Sequence, residues 1–201
     1  MPSVDDLMKG WMSQLRQGVL PDDIVADIYE HFRASIGEDR KQLAADLDAF
    51  LIIAERDRER LRLVDEVLEE FPDDVLVLMR KSSIYLYSMD DFEQALKWIE
   101  VAIEHADRQN CCRRMALGQK ARILLKLGRG GELTDVLEGI MALRLEKGAI
   151  DVGRERDFVD RAPPGMIRKD VLERYNEFRP KRSTDTSADG PPRYELPDEA
   201  M

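Results

Sequence analysis

Few residues in this chain have the types and spacing that catalysis or metal binding requires. Its two histidines are His31 and His105, and its two cysteines are the adjacent pair Cys111 and Cys112. No HExxH pair occurs, so a zinc site would have to be assembled from His105 and the cysteines across a turn, and none is expected. Adjacent cysteines seldom bridge, because the geometry is strained, and a single pair supplies no disulfide framework. Gly128-Arg129-Gly130-Gly131 lacks the preceding strand and the following Gly-Lys-Ser/Thr of a phosphate loop, which predicts a helix-to-helix turn. The carboxylates of Glu55-Arg56-Asp57-Arg58-Glu59-Arg60 alternate with arginines, the pattern of an ion-paired, solvated helix face. No serine, threonine or cysteine lies in a nucleophile motif. The expectation is a chain that is not an enzyme, with no catalytic residue, no metal and no cofactor.

Binding is the better prospect, and the charge distribution says where to look. The 201 residues carry a net charge of −10, yet residues 108–131 hold seven basic side chains and no acidic one. A bulk negative charge argues against non-specific nucleic-acid binding, since the phosphate backbone is polyanionic. The basic segment (Arg108, Arg113, Arg114, Lys120, Arg122, Lys126, Arg129) is the one place for an anionic ligand; otherwise it is a helix face that pairs with acidic neighbours. Asp5 and Asp6 stand where a signal peptide would carry lysine, and no apolar run approaches ~18 residues, so neither secretion nor membrane insertion is expected. Together with the cysteine usage, this predicts a cytoplasmic protein.

The elements that would position these groups are helices. Glycine is absent from residue 38 through 117, and Pro72 is the only proline there, so the strongest helix breakers are missing over eighty positions. Ser3 can cap a first helix bearing Val4, Leu7, Met8, Trp11, Met12 and Leu15, ended by Gly18. Pro21 opens a second, carrying Ile24, Ile28 and Phe32, which Gly37 stops. Further helices are predicted over about 40–54, 57–71, 75–88, 91–106 and 112–127, and an eighth carries Leu133, Val136, Leu137, Ile140 and Met141. A short helix near Phe158 and a last one with Ile167, Val171, Tyr175 and Phe178 follow. Beyond Pro180 the apolar content falls, and residues 180–201 are expected to be disordered.

The apolar stripes repeat. Leu61, Val64, Val67 and Leu68 lie 35 residues before Leu96, Ile99, Ala102 and Ile103, which lie 38 before Thr134, Leu137, Ile140 and Met141. Three helix pairs therefore recur at a period near ~34. In the middle unit, Ser83 and Leu86 on the first helix, an acidic turn, Phe92, and then Ala95, Ile99 and Ala102 on the second resemble the tetratricopeptide repeat (TPR). The third unit is similar through Ala121, Leu124, Leu127 and Gly128, but Leu133 replaces the family's small residue. In the first, Pro72 closes the unit in the family manner, while Asp48 stands where a small residue belongs.

The resemblance, over about residues 40–147, implies an all-α fold: a right-handed superhelical array of antiparallel helix pairs with capping helices at both ends. The domain reading is a hairpin over 1–37, three TPR-like pairs over 38–147 and capping helices over 148–179. It also implies a concave groove lined by the first helix of each pair. Here that groove would present Arg80, Ile84 and Tyr87, then Arg122, Leu125 and Lys126, with Arg113 and Arg114 beside them. Such a groove suits a partner protein's helix or extended peptide carrying acidic groups and an apolar anchor, which makes the chain an adaptor or chaperone. The alternative is a nucleic-acid or nucleotide-associated regulator that uses residues 108–131. Ala45, Ala49 and Ile52 make the corresponding face of the first unit apolar. The Met8-Trp11-Met12-Leu15 helix is expected either to fold back over it or to be released to a partner.

Overall fold

The computed structural model describes residues 3–147 and 159–177, with only the backbone described for residues 144–147. These residues form helices and no strand: α1 (Val4–Arg16), α2 (Pro21–Ala34), α3 (Gly37–Ile53), α4 (Asp57–Glu70), α5 (Val75–Tyr87), α6 (Phe92–Gln109), α7 (Arg113–Leu127), α8 (Gly130–Lys147) and α9 (Lys169–Glu177). The expected helix near Phe158 and the expected tail over 180–201 lie largely or wholly outside the described residues.

Local chemistry explains the boundaries. Ser3 caps α1 by accepting from the Asp6 amide, and Asp74 and Asp91 cap α5 and α6 in the same way. Pro21 sits in the first turn of α2, where its missing N–H costs nothing. Gly128, at φ 72°, ends α7 in the left-handed conformation that a side chain disfavours. Gly37 departs from expectation. It opens α3, at φ 60°, because α2 already ends at Ala34, and its amide donates to Glu70 Oε1 at 3.1 Å.

Each helix through α8 packs on the next, and α9 packs on α8. Contacts between α1 and α3 and between α5 and α7 place the odd-numbered helices in one layer, with the even-numbered helices forming the other. The 35- and 38-residue offsets hold in the packing: Val64, Ile99 and Leu137 are buried at equivalent places, as are Val67, Ala102 and Ile140. The core divides into two clusters that meet at α5. Val77 and Ile84 face Leu47, Phe50, Leu63 and Val64, whereas Leu78 and Leu86 join Ala95, Ile99, Ala121 and Leu137. A helix that supplies both clusters cannot leave without exposing both, so neighbouring units are stabilised together.

The small-residue position of the middle unit is shifted from expectation. Ser82, not Ser83, is fully buried, and its hydroxyl donates to the Ala95 carbonyl at 2.8 Å. In the first unit, Asp48 receives Arg60 Nε at 2.8 Å. Arg60 occupies the position equivalent to Ala95, so a buried arginine paired with Asp48 stands where the middle unit has a small side chain.

Candidate partner-binding face

The predicted site residues lie on the odd-numbered layer, but not all of them reach solvent. Tyr87, on the last turn of α5, is 62% exposed. Arg80, two turns earlier, is partly buried and leans on Asp48 at 3.4 Å, which uses part of its charge within the fold. Ile84 corrects the sequence reading: it is fully buried in the cluster between α5 and the first unit and cannot touch a partner. On α7, Leu125 is half-buried, and Lys126 is exposed with its Nζ 6.0 Å from the Phe92 ring. Arg122 is half-buried and forms no ion pair among the described residues.

The basic segment is largely spent on carboxylates of α6. Arg108 pairs with Glu104 at 3.4 Å, Arg113 with Asp107 at 3.1 Å, Lys120 with Glu100 at 2.7 Å and Arg129 with Glu93 at 3.0 Å. Arg114 is half-buried and also has a partner. Carboxylates of α6 thus meet Arg113 and Lys120 of α7, while Lys126 stands by the Phe92 ring of α6 and Arg122 forms no ion pair among the described residues.

The N-terminal hairpin and the first unit add further contacts. Helix α1 docks through Trp11, 2% exposed, whose Nε1 donates to Asp27 Oδ2 at 2.6 Å. The His31 ring stands edge-on to that indole, 5.7 Å away. Yet α1 does not cover the predicted apolar face, for Ala49 and Ile52 remain exposed. Beside them Asp46, on the same helix, is buried with Oδ2 unpartnered. Burial pushes its carboxyl up, against the Gln42 amide and the more distant Arg80 charge.

Exposed large apolar side chains show a clear bias. Ile52 and Ile53 on α3, Leu76 and Tyr87 on α5, and Met115 on α7 are all exposed, whereas α4, α6 and α8 expose none among the described residues. The remaining two, Leu20 and Ile36, sit outside the helices, just ahead of α2 and α3. No group of histidines, cysteines and carboxylates among the described residues could hold a metal ion, and none of their helices is long and apolar enough to cross a membrane.

Two crystal structures of a kinesin light chain-like protein from Podosopora anserina, with nearly identical TPR-like repeats, share this architecture. A point variant of it superposes with a TM-score of 0.61 at 11% identity, covering 87% of this chain and 92% of the other. A second structure of that protein gives 0.60 at 11% identity, covering 87% and 89%. The chain has a TPR-like fold. The likeness lies in the backbone alone: no family model and no curated protein matches the sequence. In a TPR-like array the odd-numbered helices are the first members of each pair, so the exposed apolar side chains of α3, α5 and α7 belong to one layer, with Ile52 and Tyr87 at equivalent positions 35 residues apart.

Proposed function

We propose that this TPR-like chain is a non-catalytic scaffold that binds another protein, as an adaptor or chaperone, across the face formed by α3, α5 and α7. The supporting observation is that, among the described residues, exposed large apolar side chains on helices, namely Ile52, Ile53, Leu76, Tyr87 and Met115, are confined to these three. Surface apolar groups are ordinary when scattered, but gathered on one layer they favour an interaction site. Tyr87 is the natural anchor, since an aromatic ring contributes large contact area at low entropic cost.

The expected ligand is a helix or extended peptide with an apolar anchor and a carboxylate. The anchor would lie along Ile52, Tyr87 and Leu125, and the carboxylate would reach Arg122 and Lys126. Arg80 has a lesser role, because its charge is shared with Asp48. The nucleic-acid alternative has weaker support: Arg108, Arg113, Lys120 and Arg129 are already ion-paired, and releasing them would cost those contacts. A cytoplasmic setting is part of the proposal. The test is selection of a peptide library on the purified chain. Tyr87→Ala should weaken the selected peptides about tenfold, or ~1.4 kcal/mol. Peptides that bind this variant unchanged would refute the proposed face.

A further inference from the structure

The face of α3, α5 and α7 combines an apolar line with a cationic end. Ile52, Tyr87 and Leu125 stand 35 and 38 residues apart, the offsets at which the units repeat, so they hold one position in three successive pairs. Ile52 and Tyr87 are exposed and Leu125 is half-buried. Arg122, one turn before Leu125, forms no ion pair among the described residues, and Lys126 beside Leu125 is exposed.

One segment of the chain itself has the complementary chemistry. Between residues 181 and 199 the only large apolar side chains are Tyr194 and Leu196, and residues 194–199 hold three carboxylates, Glu195, Asp198 and Glu199, with no cation. A proline favours extended backbone at the residue before it, as Pro197 does for Leu196, and in an extended chain residues two apart share a side. In that form Tyr194, Leu196 and Asp198 would present two apolar anchors followed by a carboxylate. We propose that residues 194–199 dock on the α3, α5 and α7 face of their own chain, with Tyr194 and Leu196 against Tyr87 and Leu125 and the carboxylates toward Arg122 and Lys126. The inference rests on the partner-binding face proposed above and gives that face an internal occupant, which a partner must displace.

The chain is long enough for this. Helix α9 packs on α8, α8 on α7, and α7 touches α5. Three steps of about 8–10 Å between packed helices put α5 roughly 30 Å from α9. Tyr194 lies 17 residues beyond Glu177, the end of α9. A stretch of that length extends to about 56 Å, which leaves roughly 25 Å for the path around the array. A tethered segment acts at an effective concentration on the order of 1 mM, so an intrinsic Kd on the order of 0.1 mM keeps the face occupied about nine-tenths of the time.

The test is hydroxyl-radical footprinting of the full chain, read by mass spectrometry at Tyr87, with Tyr29 on α2 as the reference. Tyr87 should be modified about five- to tenfold faster in Tyr194→Ala/Leu196→Ala than in the wild type, with Tyr29 unchanged. Arg122→Glu and added salt should each speed Tyr87 modification in the wild-type background, because both weaken the charge contacts. Equal Tyr87 rates in the wild type and the double variant would overturn the inference. Protection that fades on dilution would put the segment on a second copy and overturn the intramolecular assignment. Peptides selected on the wild-type chain give a separate readout, and should bind the double variant about tenfold tighter. Peptides that depend on Tyr87 yet bind both chains equally would overturn this inference and leave the partner-binding face standing. Segment-dependent protection of Tyr87, with selected peptides that ignore Tyr87, would support the inference and refute the face as a partner site.

Discussion

Asp48 and Arg60, 2.8 Å apart and both buried, form an ion pair between α3 and α4, with Arg60 at the place that Ala95 and Leu133 hold in the later units. Arg60 also donates to Asp57 at 2.9 Å and to Ser88 at 2.7 Å, and the second oxygen of Asp48 meets Arg80. One charged cluster therefore ties the first unit to the second. Removing one partner leaves the other charge buried, so Arg60→Ala should cost about 3–5 kcal/mol. The double variant Asp48→Ala/Arg60→Ala should lose less than Arg60→Ala alone, as read by urea unfolding.

Asp46 is the opposite case, a buried carboxyl without adequate partners. Its folded pKa is raised by burial, so its ionised form opposes folding, and the penalty grows as pH rises from the ordinary carboxylate range through the raised value. Asp46→Asn should raise Tm at pH 7 by a few degrees, on the order of 1 kcal/mol, with the gain fading toward acid pH. Thermal melts across pH check this.

Gly130 carries the last described helix. A Cβ there would sit 2.3 Å from the Met166 carbonyl oxygen, while Thr134 accepts from the Arg168 amide at 3.2 Å one turn along. The backbone of 163–166 can approach α8 only over a glycine. Gly130→Ala should destabilise by about 1–3 kcal/mol and speed hydrogen exchange in α9 more than in α5.

Trp11 anchors α1, whose other apolar residues are only half-buried. The intact chain should resist proteolysis before residue 20, and Trp11→Ala should make that segment cleavable at a cost of about 3–5 kcal/mol. Limited proteolysis followed by mass spectrometry separates a docked helix from a free one.

Helix identity was readable in the sequence because the breakers are missing and the apolar stripes recur, which set α3 through α8 closely. Burial across units was not. Ile84 lies on the predicted binding side of α5, yet packs toward the first unit, and only the stacking of α3 and α4 reveals that. For the basic segment the sequence offered both an anion site and a face paired with acidic neighbours, but not which neighbours, because the partners lie on α6, up to 36 residues earlier for Arg129 and Glu93. Asp48 looked like a defect until Arg60, 12 residues on, supplied its reason.

The most direct test of the partner-binding account compares the two layers of the array in one assay. Peptides selected on the wild-type chain would be titrated against Tyr87→Ala and Arg122→Glu on the odd-numbered layer, and against Arg58→Glu and Arg62→Glu on α4. The account predicts about tenfold weaker binding for each of the first two, steeper salt dependence in the wild type than in Arg122→Glu, and no change for the α4 variants. Loss confined to the α4 variants, or no discrimination between layers, would contradict it.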